Sequence, residues 1–173
     1  RTRARVYDAL NRLSQAIGGA GQATDFEYDL VGNQTAVIDG NARSTTSRFD
    51  ALNRLATSID PNLGETDVGY DARDNLISVT DAENLTTTFT YDGVENLTLQ
   101  SSPDTGLTQF TYDDAGNRLT QTDARGVLTR FAYDALNRVV SIAYPDTGKN
   151  VGFAYDQGLN GIGHLIRMTD ESG

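Results

Sequence analysis

Phe131-Ala132-Tyr133-Asp134-Ala135-Leu136-Asn137-Arg138 says little alone, but the chain keeps repeating it. Phe49-Asp50-Ala51-Leu52-Asn53-Arg54-Leu55 and Tyr7-Asp8-Ala9-Leu10-Asn11-Arg12-Leu13 are near copies. Looser versions open at Tyr28, Tyr70, Tyr91, Tyr112 and Tyr155. An aromatic residue followed by aspartate thus starts eight units, at Tyr7-Asp8, Tyr28-Asp29, Phe49-Asp50, Tyr70-Asp71, Tyr91-Asp92, Tyr112-Asp113, Tyr133-Asp134 and Tyr155-Asp156. The step between starts is 21 residues six times and 22 once, from Tyr133 to Tyr155. A fixed period of this size marks a repeat array in which each unit contacts mainly its neighbours.

Each unit has the same internal grammar. An alternating run ends in aromatic-x-aromatic-Asp, as in Phe26-Glu27-Tyr28-Asp29, Phe89-Thr90-Tyr91-Asp92 and Phe110-Thr111-Tyr112-Asp113. Period-two alternation with Thr and aromatics predicts a strand, with both rings on one face. The next residues predict a turn in two lengths, a short Asp-Ala-Leu-Asn and a form one residue longer, as in Asp113-Asp114-Ala115-Gly116-Asn117. Asp bonds its own backbone two residues on, and Gly or Asn tolerates positive φ. A second strand follows, as in Asn75-Leu76-Ile77-Ser78-Val79-Thr80, then a second turn such as Asp60-Pro61-Asn62-Leu63-Gly64 or Asp123-Ala124-Arg125-Gly126. Two strands and two turns in 21 residues describe an antiparallel meander of hairpins. The fold expected is all-β, with residues 1–6 as the tail of a preceding strand and residues 1–173 as a single array. About sixteen strands at ~4.8 Å spacing would make an open ribbon roughly 75 Å long. Open sheets rarely exceed ~10 strands without curling, so the ribbon should coil into a partly or wholly hollow wall.

Composition narrows the function classes. The hydrophobic fraction is 38% and there are 17 glycines, which suits a thin, half-solvated sheet better than a thick centre. The formal charge of −10 opposes a phosphate backbone, so no nucleic acid is expected as a partner. Anionic membrane surfaces are disfavoured in the same way, and no apolar run approaches the ~18 residues of a membrane helix, so no membrane insertion is expected. With no cysteine there is neither disulfide nor thiolate chemistry. Arg1 opens inside a repeat without Met, so the chain reads as a piece of a longer polypeptide.

Candidate chemistry is sparse, and the chain is not expected to be an enzyme. His164 is the only histidine, and no Gly-x-Ser-x-Gly elbow accompanies it. The repeated aspartates are equivalent to one another, whereas a catalytic carboxylate pair should stand apart from its copies. Neither catalytic residues, nor a metal site, nor a cofactor are expected. Rows of Asp and Asn turns carry hard oxygen ligands suited to calcium, but no Asp-x-Asp-x-Asp-Gly loop is present. The aromatic row reads first as packing between hairpins and second as a platform for glycans.

Tyr112-Asp113-Asp114-Ala115-Gly116-Asn117-Arg118-Leu119, recurring every 21 or so residues, resembles the YD repeat of the Rhs family. The resemblance covers nearly the whole chain, Tyr7 to Gly173. It implies β-hairpins joined into a strip of sheet that spirals into a hollow shell. In bacterial Rhs toxins and insecticidal toxin complexes such a shell encloses a toxic C-terminal polypeptide, and in teneurins a related barrel serves adhesion. The Asp-Pro-x-Gly-Leu signature of the bacterial shell-closing region has no match, since Asp60-Pro61-Asn62-Leu63-Gly64 is an internal turn without the following Leu.

The resemblance therefore implies a structural wall segment of a secreted or cell-surface bacterial protein. Its partners would be an effector polypeptide of the same protein and neighbouring repeats. The alternatives are an extracellular adhesin for glycans or proteins, or a filament that self-associates through open sheet edges.

Overall fold

The structure, a computed structural model, describes residues 3–158 and 161–171. The chain divides into two compact units, Arg1–Thr86 and Thr87–Gly173. The first holds β1 (Ala4–Tyr7), β2 (Leu13–Ile17), β3 (Ala23–Tyr28), β4 (Gln34–Ile38), β5 (Ser44–Phe49), β6 (Leu55–Ile59), β7 (Glu65–Tyr70) and β8 (Leu76–Thr80). The second holds β9 (Thr86–Tyr91), β10 (Leu97–Ser102), β11 (Gly106–Tyr112), β12 (Arg118–Thr122), β13 (Leu128–Tyr133), β14 (Val139–Ala143), β15 (Val151–Tyr155) and β16 (Leu165–Thr169). A three-residue 3₁₀ turn, Thr147–Lys149, is the only helical element among the described residues. Within each unit every strand pairs antiparallel with the next, so the all-β meander expected from the alternation is what forms.

Each unit is one layer thick. The one apolar side chain that is buried among the described residues is Ala36, at 5% exposure. The aromatic pairs are half-buried along one face while the residue between them stays exposed, as at Phe89-Thr90-Tyr91 and Phe110-Thr111-Tyr112. Packing energy therefore comes from hairpin against hairpin along the sheet rather than from a second layer.

The turns correct one expectation. The seven Tyr-Asp turns from Asp8 to Asp134 do not come in two lengths; only the Asp156 turn is longer, its N–H donating to the His164 carbonyl. Asp8 N–H donates to the Arg12 carbonyl and Asp29 N–H to the Asn33 carbonyl, the same four-residue reach in both supposed forms. Asp50 to Arg54, Asp71 to Asn75, Asp92 to Asn96, Asp113 to Asn117 and Asp134 to Arg138 repeat it. The residue three after Asp takes the left-handed conformation whichever type it is: Asn11, Gly32, Asn53, Asp74, Glu95, Gly116 or Asn137. That is a type I turn closed by a left-handed residue, a standard three-residue hairpin loop. The opposite ends of the hairpins, at Asp39, Asp60, Asp81 and Asp123, use the same backbone turn, with Ala42, Leu63, Asn84 and Gly126 in the left-handed slot.

A β-bulge follows every Tyr-Asp turn. Glu27 pairs with Ala36 but Tyr28 with Gln34, leaving Thr35 out of the rung count; Thr111 pairs with Thr120 but Tyr112 with Arg118, leaving out Leu119. The bulge reconciles an odd repeat with a two-residue side-chain period. From Gln22 to Asp29 the chain climbs seven rungs; from Asn33 to Asp39 it spans six but descends only five, because Thr35 does not count. The total of twelve rungs is even, so the next Tyr-Asp returns to the same face. The net climb is two. Ala36 is level with Glu27 on one side and Thr46 on the other, so Asp29 lies two residues beyond that level and Asp50 four. In the second unit Thr120 is level with Thr111 and Arg130, which places Asp113 two residues beyond and Asp134 four.

Candidate functional site

The feature with the densest chemistry is the Tyr-Asp edge itself. Each aspartate caps its own turn. Asp113 Oδ1 accepts from the N–H groups of Ala115 (3.0 Å) and Asn117 (2.8 Å), and its Oδ2 accepts from Asn117 Nδ2 (2.9 Å). Asp134 does the same with Leu136 and Arg138, the Arg138 Nε donating to Oδ2 at 2.7 Å. The residue four after Asp is therefore Arg or Asn because both carry an N–H donor that can reach back to the second carboxylate oxygen.

These donors hold all eight repeat aspartates below the ordinary carboxylate range. At Asp113 the cause is the Asn117 amide, then the Asn117 N–H. At Asp134 it is the Arg138 N–H, then its guanidinium. Burial pushes Asp29 up, and the Asn33 side chain and backbone outweigh it. Asp156 is lowered to about 2, first by the Arg138 guanidinium and then by the Gly163 N–H. Carboxylates saturated in this way stay ionised near neutral pH and are poor proton carriers.

The same side chains also reach forward to the next hairpin, which the sequence reading missed. Arg12 lies 4.6 Å from the Tyr28 ring centroid, Arg54 4.6 Å from Tyr70 and Arg138 4.3 Å from Tyr155. Arg12 Nη1 donates to the Asp29 carbonyl and Arg54 Nη1 to the Asp74 carboxylate, while Arg138 bridges Asp134 and Asp156. In the asparagine version Asn33 Nδ2 donates to Asn53 Oδ1 and Asn117 Nδ2 to Asn137 Oδ1, so one turn's fifth residue holds the next turn's left-handed residue. The tyrosines add a second tie. Tyr28, Tyr112, Tyr133 and Tyr155 donate their hydroxyls to the carbonyls of Leu13, Leu97, Arg118 and Val139, each in the preceding hairpin, at 2.8 to 3.0 Å. Arg118, one position further on, stacks on Phe131 at 4.4 Å. Tyr7 and Phe49 occupy the same slot in their own units.

No cluster of three or more His, Cys, Asp or Glu suited to a metal occurs among the described residues. Through its backbone, His164 accepts from Asp156 N–H and donates to the Gly161 carbonyl. A shallow open groove separates the Asp92 and Asp113 turns, with Asn96, Phe110 and Tyr112 along it. No helix is long and apolar enough to cross a membrane.

Solved structures share this fold. The Tc holotoxin pore of Photorhabdus luminescens matches over 89% of this chain and 10% of its own, with a TM-score of 0.74 at 12% identity. A TcdB2–TccC3–Cdc42 structure matches over 97% of this chain and 10% of its own, with a TM-score of 0.70 at 18% identity. TcdB2–TccC3 matches over 98% and 12%, with a TM-score of 0.61 at 16% identity. The chain thus spans about a tenth of the length of the chains it matches. No curated protein matches it. The RHS repeat model matches residues 7–44, 70–107, 95–128 and 112–149, and the chain belongs to the RHS repeat family.

Proposed function

We propose that the chain is a wall segment: a single array of hairpins that helps form a shell around, or displays, a C-terminal effector polypeptide of a secreted bacterial protein. Its role is steric rather than enzymatic. The observation that carries this reading is the constant stagger. A climb of two residues, ~6.6 Å, for every two strands, ~9.6 Å, inclines the line of turns by about 35°. Closed barrels have strand tilts of about 35–45°, so a long array built on this register is inclined to coil around a space rather than lie flat. A layer one strand thick, with its aromatic face only half-buried, also suits a wall better than a self-sufficient globule. The test is protease protection of the longer parent protein: the effector region should resist digestion until the shell is opened. Digestion of that region at the rate of the free effector would overturn the reading.

A second reading, glycan binding, is supported by the groove beside Phe110 and Tyr112 with Asn96 and Asp92 at its rim. It requires glycan-array signal that disappears in a folded Tyr91→Ala, Tyr112→Ala variant.

A further inference from the structure

The fifth turn residue ties a hairpin to the next in two ways. As Arg12, Arg54 and Arg138 it sends a guanidinium to the next tyrosine ring, 4.6, 4.6 and 4.3 Å from the centroid. Arg12 and Arg54 also donate to the carbonyls of Asp29 and Asp71, at 3.0 and 3.3 Å. As Asn33 and Asn117 it meets an asparagine in the left-handed slot of the next turn, Asn53 or Asn137. The joint between the Asp92 and Asp113 turns, inside the second unit, has neither tie. Asn96 carries no guanidinium, and its amide nitrogen stays on Asp92. The left-handed residue across from it is Gly116, where a β-carbon would lie 3.6 Å from Asn96 Oδ1 and meet nothing closer. The shallow groove opens at this joint.

The groove keeps every group that seats a guanidinium elsewhere. Tyr112 stands where Tyr28, Tyr70 and Tyr155 stand, and Asp113 where Asp29 and Asp71 offer their carbonyls. Asp92 stands where Asp8, Asp50 and Asp134 accept from the arginine Nε. These three line the groove together with Asp114, and no basic residue does. Arg118, the register partner of Tyr112, leans on Phe131 at 4.4 Å and stays out of the lining.

We propose that this groove receives an arginine side chain from a peptide segment, with its guanidinium over the Tyr112 ring, donating to the Asp92 carboxylate and the Asp113 carbonyl. A planar guanidinium stacks on a ring and donates from its edges at once, which an ammonium does not. A neutral sugar would bring no charge to the carboxylates of Asp92, Asp113 and Asp114. Val94, 78% exposed on the lining, offers apolar cover to the methylene stem. The site goes beyond the wall reading and does not depend on it.

The probe is an acetylated and amidated peptide with one central arginine between glycines, titrated into the isotope-labelled 173-residue chain. Amide shifts should move and saturate within residues 92–98 and 110–116. The same peptide with citrulline, the uncharged isostere, should bind at least about tenfold more weakly. Asn96→Arg gives the groove a guanidinium of its own, as Arg12, Arg54 and Arg138 do in their turns, and should raise the melting midpoint and abolish the response to the peptide. Equal affinities for the two peptides would overturn the proposal, as would unchanged binding by a folded Asn96→Arg chain. Saturable shifts at these amides with an uncharged oligosaccharide, and none with the arginine peptide, would overturn it in favour of the glycan reading. If Asn96→Arg does not fold, the citrulline comparison on the unchanged chain decides alone.

Discussion

The two ends of the hairpins share a backbone turn and differ in what their side chains do with it. At the Tyr-Asp end the fifth turn residue is Arg or Asn and bonds its own aspartate, and at Arg12, Asn33, Arg54, Asn117 and Arg138 it also bonds the next hairpin. At the opposite end that position is Arg43, Gly64, Leu85 or Val127, and the Asp39, Asp60, Asp81 and Asp123 caps take only backbone N–H groups from their own turns, apart from a local Arg125 pair at Asp123. The first position varies as well, with Gly18 and Ser102 replacing aspartate. Register and face are set at one end of each hairpin; the other end only has to reverse the chain. The turn after β14 makes the point, since it absorbs an extra residue in the Thr147–Lys149 3₁₀ turn without disturbing β15.

The largest test of this contrast is a length change at each end. Inserting one residue after Thr35, beside the Tyr-Asp turn, leaves thirteen rungs in that repeat, sends the following hairpins to the wrong face, and should abolish cooperative unfolding in a circular dichroism melt. Inserting one glycine after Glu83, at the opposite end, should leave a cooperative melt.

Acid should act next most strongly. Eight aspartates whose folded pKa lies below the unfolded value stabilise the fold above about pH 4 and lose that contribution as pH falls through their folded values, which for Asp156 is about 2. The unfolding midpoint should be flat from pH 5 to 7 and fall steadily below about pH 4. A midpoint that falls between pH 7 and 5 instead would point to groups other than these.

Asp113→Ala, which frees two backbone donors and the Asn117 amide, should lower the midpoint more than Asp39→Ala, which frees two backbone donors. Equal losses would remove the distinction between the ends. Tyr112→Phe deletes the tie to Leu97 and should destabilise by about 1 kcal/mol in denaturant unfolding. The smallest effect runs the other way. Leu63 holds a φ of 68° at the undemanding end, and Leu63→Asn should stabilise by up to about 1 kcal/mol.

Much of this was legible because it is local. Alternation, paired aromatics and aspartate turns act within ten or so residues, and the strands fall where the pattern puts them. Turn length was misread because asparagine does two jobs. Asn11 fills the left-handed slot, whereas Asn33 sits one position later and bonds the aspartate, so aligning the repeats on Asn creates a false one-residue offset. The forward reach of Arg54 to Asp74 was hidden for a different reason: its partner is twenty residues on, and only the stagger brings them together. The bulge left no mark at all. Ser14, Thr35, Ala56, Ile77, Thr98, Leu119, Val140 and Ile166 share no chemistry, because the position is defined by counting rather than by contact.

The tyrosine tie bears on how such a chain acquires its fold. The hydroxyls of Tyr28, Tyr112, Tyr133 and Tyr155 bond carbonyls only 15 or 16 residues earlier, so these hairpins need nothing but their predecessors to lock into place. Folding can then advance in one direction, hairpin by hairpin, as chain becomes available from a ribosome or a narrow channel. Assembly of the wall becomes a zipper, and its rate should follow the supply of chain rather than the search for distant partners.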